Sequence, residues 1–271
     1  MSTRFPEQFR RTALMLGDDG IEALRCAKVV VVGLGAVGGY VLEALARAGI
    51  GRFLLVDFDY VQASNINRQP LATYRTLGRL KIDVARERVA EINPDAIVET
   101  KPILINEKTM GELFADPETP DYYVDAIDSL GPKVGLIAEL LRRRARFISS
   151  MGAALRFDAS LVRVGPLSEV ENCPLARQVR KRLRRVGADP RLVRCAYSPE
   201  PIRDAARAGR EVLERVDPAA PLPSERLDDP PGRPRNTLGS LPTIVGLFGL
   251  RVAHEIILDL SGARGTRREF F

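Results

Sequence analysis

A glycine-rich run and the aspartate that follows it have the residue types and spacing of a nucleotide site. The run GLGAVG covers 33–38, and Asp57 follows 19 residues after its last glycine. Glycine lets the backbone approach a phosphate closely, and the helix N-terminus behind such a turn presents free N–H groups. A carboxylate at the end of the next strand accepts hydrogen bonds from a ribose. We therefore favour a nucleotide site at Gly33, Gly35, Gly38 and Asp57 over a tight turn without ligand.

The segment that follows Asp57 distinguishes between nucleotides. NAD, FAD and ATP all suit a glycine turn, but an adenylating enzyme also needs cations on a triphosphate and a carboxylate for Mg²⁺. The stretch DFDYVQASNINRQ covers 57–69 and places polar and cationic groups just beyond a strand end. The candidate phosphate ligands in this stretch are Asn65, Arg68 and Gln69. Lys81, on the next helix, is a further candidate. The combination favours ATP over a hydride carrier.

Two more carboxylates follow a later strand. Asp125 and Asp128 lie in the sequence DAIDS, which we expect at the same carboxyl edge of the sheet as the glycine turn. Each polar residue has a structural alternative, since Arg68 or Lys81 suits a solvated surface and Asp128 suits a helix cap. Their joint position at one edge of the sheet favours a nucleotide site over these structural alternatives.

The elements that must position these residues alternate along the chain. The run AKVVVV at 27–32 is typical of a strand that is buried on both faces in a parallel sheet. Further strands are predicted at 52–57, 97–101, 122–126, 146–150 and 192–197, and helices at 39–48, 78–93, 107–114, 132–144 and 241–260. This alternation predicts an α/β fold with a doubly wound, mainly parallel sheet, as in a Rossmann-like adenylating domain.

We divide the chain into four segments. Residues 1–26 form an N-terminal helical arm, broken at Gly17, and 27–165 form the ATP-binding Rossmann-like domain. Residues 166–236 carry a basic helix and a Pro-rich insertion, which together give a basic, partly irregular extension. Residues 237–271 contain a helix that we expect to pack on the main domain, because it is too apolar to stand alone in water.

Composition excludes several classes of protein. Three separated cysteines without a CxxC pair argue against a disulfide framework and against structural zinc, so a reducing cytoplasm fits best. The single histidine, His254, argues against Ser-His catalysis and histidine-built metal sites. No uninterrupted apolar run resembles a signal peptide or a transmembrane segment, so any association with the inner membrane would be peripheral. The formal charge of +6 suits an anionic partner or an ordinary soluble surface.

The motifs together resemble the ubiquitin-activating-like adenylating superfamily, which includes the ThiF, MoeB and HesA proteins. GLGAVGG, DFD, SNINRQ, Lys81, INPDA and DAIDS carry this resemblance over about 27–155. Within the superfamily, AIDS followed by Lys133, the basic stretch CPLARQVRKRLRR and the later CAYSPEP are most similar to the tRNA threonylcarbamoyladenosine dehydratase branch.

The resemblance implies a role for each matching residue. The implied nucleotide ligands are Gly33, Gly35, Gly38, Asp57, Asp59, Asn65, Arg68, Gln69 and Lys81. The implied catalytic groups are Arg68, Lys81 and Asp128, and Asp128 is also the metal-associated aspartate that would hold Mg²⁺. The implied reaction is attack of a carboxylate on the α-phosphorus of ATP. In the dehydratase branch, that carboxylate belongs to the threonylcarbamoyl group of a modified adenosine in tRNA, which then cyclises with loss of water.

Two other functions remain as alternatives. A ThiF- or MoeB-like enzyme would adenylate the C-terminus of a small sulfur-carrier protein, but such enzymes usually bear two CxxC zinc pairs that this sequence lacks. An NAD-dependent oxidoreductase or plain nucleotide-binding module ranks last. The resemblance also implies a homodimer, although Leu14 occupies the arm position where many relatives have an arginine, with Arg10 and Arg11 close by.

A tRNA partner requires a basic surface. The candidate RNA-binding residues on one short helix are Arg177, Arg180, Lys181, Arg184 and Arg185, and the run 142–146 forms a second cluster. Clustered cations suit the phosphate backbone of an RNA, which requires no particular sequence. We expect both clusters to flank the site. Cys195 is a candidate nucleophile, because thiolates attack acyl adenylates. A small buried residue is the alternative that we favour for it, since no neighbour in sequence lowers its pKa.

Overall fold

A computed structural model of the chain describes residues 5–202 and 238–263. The Pro-rich connection predicted at 217–235 lies outside these residues. Within them, none of the helices is long and apolar enough to cross a bilayer.

Seven strands form one sheet in the order β3-β2-β1-β4-β5-β7-β6. The strands are β1 (Lys28–Val32), β2 (Arg52–Val56), β3 (Ile97–Lys101), β4 (Tyr122–Asp125), β5 (Phe147–Ser150), β6 (Arg163–Pro166) and β7 (Arg194–Tyr197). All neighbouring strands are parallel except β6, which runs antiparallel to β7. The predicted doubly wound, mainly parallel sheet is confirmed, and β6 is the strand that the sequence analysis did not predict.

Helices cover both faces of the sheet. They are α1 (Arg10–Cys26), α2 (Ala36–Ala48), α3 (Lys81–Ile92), α4 (Met110–Leu113), α5 (Leu130–Arg142), α6 (Pro174–Arg185) and α7 (Pro242–Leu260). The first three pack with α7 in one apolar core, and α4, α5 and α6 pack in the other. Because both faces are covered, every residue of β1 is buried, as its continuous apolar sequence predicts.

Two glycines with positive φ mark the break in α1 and the end of α2. Gly17 has φ 73° and breaks α1, so the N-terminal arm is two helical pieces at an angle. Gly49 has φ 99° and follows the last residue of α2, where the left-handed conformation ends a helix at little cost to glycine.

The order of the strands determines where a ligand fits. Strand β1 lies beside β4, and the chain leaves β1 towards β2 but leaves β4 towards β5, so the connections at these two carboxyl ends run in opposite directions. In open α/β sheets, ligands bind in the crevice at such a switch point. We call the edge formed by the carboxyl ends of β1, β2 and β4 the site edge, and the opposite side the amino edge.

Candidate functional site

The glycine turn is packed between the ends of β2 and β4. Gly33 has φ 93° and donates its N–H to the Val56 carbonyl over 2.8 Å. A methyl group built at Gly33 would lie 2.8 Å from the Ala126 carbonyl oxygen, and one at Gly38 would lie 1.8 Å from that of Gly33. Both positions therefore require glycine.

Helix α2 begins directly behind this turn. Its N-cap residue is Gly35, and no side chain caps the first turn of the helix. The first N–H groups of a helix have no partner within the helix, and together with the positive end of the dipole they attract an anion. The glycine turn therefore presents uncapped backbone donors at the site edge.

Asp57 connects the glycine turn to the turn after β2. Its Oδ2 accepts a hydrogen bond from the Leu34 amide over 2.6 Å, and its Oδ1 accepts one from the Asp59 amide over 2.8 Å. Burial raises the pKa of Asp57, while Lys81 and the two amides oppose this rise. Each carboxylate oxygen keeps a further lone pair, which is the acceptor that a ribose hydroxyl needs.

Residues 65–70, which we call the clamp segment, fold over the glycine turn. The Asn65 carbonyl accepts the amides of Arg68 and Gln69 over 3.1 and 2.9 Å, which curls the segment tightly. A methyl group built at Gly35 would lie 4.0 Å from Gln69 Nε2, and one at Gly39 would lie 2.9 Å from Pro70 Cγ. The structure therefore brings the predicted Gln69 amide beside the N-terminus of α2.

Arg68 is half-buried and is fixed by one of its nitrogens. Its Nη1 donates to the Ser64 carbonyl over 2.7 Å and to Asn67 Oδ1 over 3.0 Å. Within the described residues, Nη2 and Nε have no such protein acceptor, so they remain for an anion. The guanidinium is thus held in place with its planar fork still able to contact a phosphate.

Lys81 is buried and paired with a carboxylate. Its Nζ lies 3.1 Å from Asp59 Oδ2, and its amide donates to the Asp59 carbonyl over 3.0 Å. Asp59, predicted as a nucleotide ligand, therefore also orients Lys81. An ammonium group has three donors, so this ion pair leaves donors for a phosphate.

The two aspartates after β4 have different environments. Asp128 is exposed, and its Oδ1 accepts a hydrogen bond from Ser129 Oγ over 3.2 Å. Ser129, not Asp128, occupies the N-cap position of α5, so the helix-capping alternative for Asp128 does not hold. Asp125 is fully buried and bound by Lys133 and Ser149. Only Asp128 is therefore accessible to a ligand.

The residues at the site edge suit a Mg²⁺ ion that is held by a single carboxylate. No group of three or more Asp, Glu, His or Cys that could hold a metal occurs within 5–202 and 238–263. Mg²⁺ commonly takes only one or two carboxylates and completes its shell with water and substrate phosphates. The exposed carboxylate of Asp128 suits that arrangement, with the triphosphate supplying the other oxygens.

Substitution of Gly35 by alanine tests the path of the phosphates. The nearest side-chain atom is 4.0 Å from the new methyl group, so we expect Gly35→Ala to keep the wild-type thermal stability. We expect the dissociation constant for ATP, measured by calorimetry, to rise at least about 10-fold, because the methyl group occupies the space of the phosphate. The control is Gly111→Ala on α4, where the methyl group meets no atom within 4 Å. Equal ATP affinity in both variants would contradict this path.

Cys195 lies in β7 and is inaccessible. It is fully buried, and burial raises the pKa of its thiol to about 12. The environment thus favours the thiol over the reactive thiolate. We predict that Cys195→Ala retains adenylation and product formation within about twofold of wild type, and that intact mass spectrometry detects no acyl adduct on the wild-type chain. A 100-fold loss of activity in a folded variant would restore the nucleophile hypothesis.

The basic helix α6 presents most of its predicted RNA ligands to solvent. Ala176, Val179 and Leu183 bury one side of the helix. Arg180 instead donates to the carbonyls of Leu167 and Val170 over 3.0 and 2.6 Å, so it anchors the helix. The exposed cations are Arg177, Lys181, Arg182, Arg184 and Arg185. Sequence periodicity alone did not separate Arg180 from these.

The start of α6 lies near the site edge. A methyl group built at Gly152, just past the end of β5, would lie 3.4 Å from Cys173 Sγ at the N-cap of α6. The helix then runs back towards the start of β7, which is parallel to β5. Arg177 is therefore nearest to the site, and Arg185 is the most distant cation of the helix.

The interpretation that both arginine clusters flank the site is wrong for residues 142–146. These residues precede β5, which is parallel to β4, so they lie at the amino edge. Glu139 pairs with Arg142 and Arg143, and Arg146 donates to the Asp259 carbonyl over 3.2 Å. The run of arginines predicts a cluster of charges but not the edge of the sheet that carries it.

The fold and the arrangement at the switch point define a Rossmann-like nucleotide-binding α/β protein. The model of the ThiF family matches residues 9–270, so the chain belongs to the ThiF family. The predicted resemblance is confirmed.

Within this family, the chain is similar to two curated relatives and to one solved structure. The chain is 40% identical to tRNA threonylcarbamoyladenosine dehydratase of Bacillus subtilis over 180 residues, which cover 66% of this chain and 70% of the relative. It is 34% identical to tRNA threonylcarbamoyladenosine dehydratase 2 of Saccharomyces cerevisiae, over 95% of this chain and 58% of the relative. The crystal structure of E. coli tRNA N6-threonylcarbamoyladenosine dehydratase with ATP matches with a TM-score of 0.78 and 26% identity, over 96% of each chain.

Proposed function

We propose that this protein adenylates the carboxylate of the threonylcarbamoyl group on a modified adenosine in tRNA and then cyclises that group with loss of water. The observation that carries the proposal is the clamp segment, whose Gln69 and Pro70 lie against the uncapped start of α2 and whose Arg68 is held by the Ser64 carbonyl. The names of the B. subtilis and S. cerevisiae relatives support the substrate, and the ATP complex of the E. coli structure supports the nucleotide.

The first step forms an acyl adenylate. A carboxylate oxygen attacks the α-phosphorus of ATP, the bond from this phosphorus to the bridging oxygen breaks, and pyrophosphate leaves. The α2 N-terminus and Arg68 would hold the phosphates, Asp57 would hold the ribose, and Lys81 would offset the negative charge that develops on the departing group. Mg²⁺ bound through Asp128 would supply further electrostatic stabilisation of the phosphates.

The second step closes a ring without a protein nucleophile. A neighbouring nucleophilic group of the same substituent attacks the activated carbonyl carbon, loses its proton, and expels AMP as the carbon–oxygen bond breaks. The oxygen that the carboxylate loses leaves on the phosphate of AMP. The inaccessible Cys195 supports this direct route over a thioester.

The test is ATP–pyrophosphate exchange with two candidate acceptors. We expect exchange to be stimulated by tRNA that carries the threonylcarbamoyl modification, and mass spectrometry of its nucleosides to show a product lighter by one water. The control acceptor is a small sulfur-carrier protein with a free C-terminus. Stimulation by the carrier protein alone would replace the proposal with the ThiF- or MoeB-like alternative, which the absence of CxxC pairs in the chain already disfavours.

The exposed cations of α6 support binding to the tRNA backbone. We predict that Lys181→Glu with Arg184→Glu weakens tRNA binding at least about 10-fold and makes the logarithmic salt slope shallower by about 2, since each lost phosphate contact contributes about 0.9. ATP affinity should not change. Arg142→Glu with Arg143→Glu, at the amino edge, is the matched control. An equal loss in the two double variants would indicate a general charge effect and contradict a local α6 contact.

The resemblance also supports a homodimer as part of the proposal. Leu14 and Met15 lie on the N-terminal arm and are 81% and 84% exposed, which is unusual for large apolar side chains. Sedimentation of the purified chain would test the oligomeric state. A transfer partner, such as a carrier protein, has no support in the described residues.

A further inference from the structure

A buried cluster of charges lies directly beneath the turn that carries Asp128. The Nζ of Lys133 lies 2.6 Å from Asp125 Oδ2 and 3.2 Å from Ser149 Oγ, and Ser149 Oγ donates to the same carboxylate oxygen over 2.6 Å. Lys133, Asp125 and Ser149 are all fully buried. None of them contacts a nucleotide in the proposed mechanism.

A buried cluster of charges contributes little to the stability of the fold, so its presence indicates another role. Removing two charges from water is expensive, and apolar side chains of similar volume often give equal or greater stability. A fully hydrogen-bonded buried network, however, holds its members in one arrangement.

Each hydrogen bond of the cluster fixes a different element at the site edge. Asp125 is the last residue of β4, Lys133 lies in the first turns of α5, and Ser149 lies in β5. The second oxygen of Asp125 accepts the amide of Ile127 over 3.1 Å, inside the turn 126–129 that joins β4 to α5. The network thereby ties both ends of this turn and its interior to one carboxylate.

The turn 126–129 carries two features of the candidate site. The Ala126 carbonyl packs against Gly33 so closely that a methyl group there would lie 2.8 Å away. Asp128 extends from the same turn into solvent, and within the part of the chain that the structure describes its side chain is hydrogen-bonded by its neighbour Ser129. The position of the Asp128 carboxylate therefore depends on the backbone that Asp125 shapes.

We propose that Lys133 and Ser149 are positioning residues for adenylation, which act through Asp125 to place the turn 126–129 and its Asp128 carboxylate at the phosphates. This inference rests on the proposed function. The glycine turn is held separately by the Val56 carbonyl and by Asp57. Loss of the cluster should accordingly affect the transition state more than the binding of ATP.

The test compares two buried, ion-paired lysines at opposite edges of the sheet. Lys133→Met breaks the cluster at the site edge. Lys28→Met removes a second buried lysine at the amino edge, where Lys28 is 2% exposed and pairs with the more exposed Asp116 and Glu99, the latter over 3.2 Å. Both variants should have a lower melting temperature, so Lys28→Met reports the effect of lost stability alone.

We expect the two variants to differ in kinetics and in local hydrogen exchange. At a temperature where both are folded, Lys133→Met should lower kcat of ATP–pyrophosphate exchange about 10- to 100-fold, because small misplacements of a catalytic group have effects of this size. The KM for ATP should stay within about threefold of wild type. The amides of 126–129 should exchange faster in Lys133→Met, while Lys28→Met should match wild type in kcat and in this segment.

Ser149→Ala provides a second variant that keeps the ion pair and is expected to fold. It should lower kcat about 10-fold, again with little effect on KM for ATP. The inference would be overturned if Ser149→Ala and folded Lys133→Met both showed the wild-type kcat and the wild-type rate of hydrogen exchange at 126–129. If the wild-type chain shows no adenylation, the proposed function fails, but hydrogen exchange still decides whether the cluster holds this turn.

Discussion

Replacement of Arg68 by alanine is expected to lower ATP–pyrophosphate exchange about 10³-fold in a chain that folds normally, a size typical of a single donor or arginine at a phosphate transition state. The side chain is half-buried, and the hydrogen bonds that it makes within 5–202 and 238–263 go to the Ser64 carbonyl and Asn67 in its own loop. Loss of these local contacts should change the melting temperature little. The kinetic effect should therefore greatly exceed the effect on stability.

Two further variants separate the guanidinium from simple charge. Arg75→Ala removes an exposed arginine from the loop that follows the clamp segment, and it should retain wild-type exchange. Arg68→Lys keeps the positive charge but not the planar fork, so we expect it to recover only part of the lost activity. Activity close to wild type in Arg68→Ala would refute the phosphate role, whereas equal losses in Arg68→Ala and Arg75→Ala would indicate general electrostatics.

Local sequence patterns predicted the frame of the fold because each has a direct physical cause. The apolar run of β1 requires burial on two faces, which only a sheet with helices on both sides provides. Gly49 ends α2 and Gly17 breaks α1 because both adopt positive φ, which glycine accepts readily. The glycine turn was also predictable, since a buried strand before it and a helix after it restrict its geometry.

The missed features depend on contacts between distant parts of the chain. Strand β6 has only four residues, ends at Pro166, and is half-exposed at the edge of the sheet, so no apolar run announces it. Residues 142–146 lie at the amino edge because of the direction of β5, which their charge does not indicate.

The pairing of Lys133 with Ser149 was likewise not predicted. A signal was present, because Lys133 lies on α5 at helical spacing from the buried Leu136, Ile137 and Leu140. A lysine on the apolar side of a helix needs a buried acceptor, and the aspartate eight residues earlier supplies it. Sequence alone shows that Lys133 needs a partner, but the third member, Ser149, comes from the packing of β5 beside β4.

Replacement of Asp128 by alanine is the second large expected effect, with a loss of about 10³-fold in ATP–pyrophosphate exchange and an unchanged fold. The carboxylate is exposed, does not cap α5, and contacts Ser129, so little stability depends on it. Because its proposed role is to hold Mg²⁺ on the triphosphate, residual activity should require a higher Mg²⁺ concentration for half-saturation. Titration of exchange activity with Mg²⁺ at fixed ATP would measure this shift.

The matched control for Asp128 is Asp95→Ala, which removes an exposed carboxylate just before β3, at the amino edge. It has the same change in net charge, so a general electrostatic effect on ATP would appear in both variants. We expect wild-type exchange and Mg²⁺ dependence from Asp95→Ala. Asp128→Asn adds a sharper comparison, because it keeps the shape and the Ser129 contact but removes the charge that a hard cation prefers. Full activity in Asp128→Asn would place the metal elsewhere, whereas a loss as deep as that of Asp128→Ala would tie the effect to the carboxylate itself.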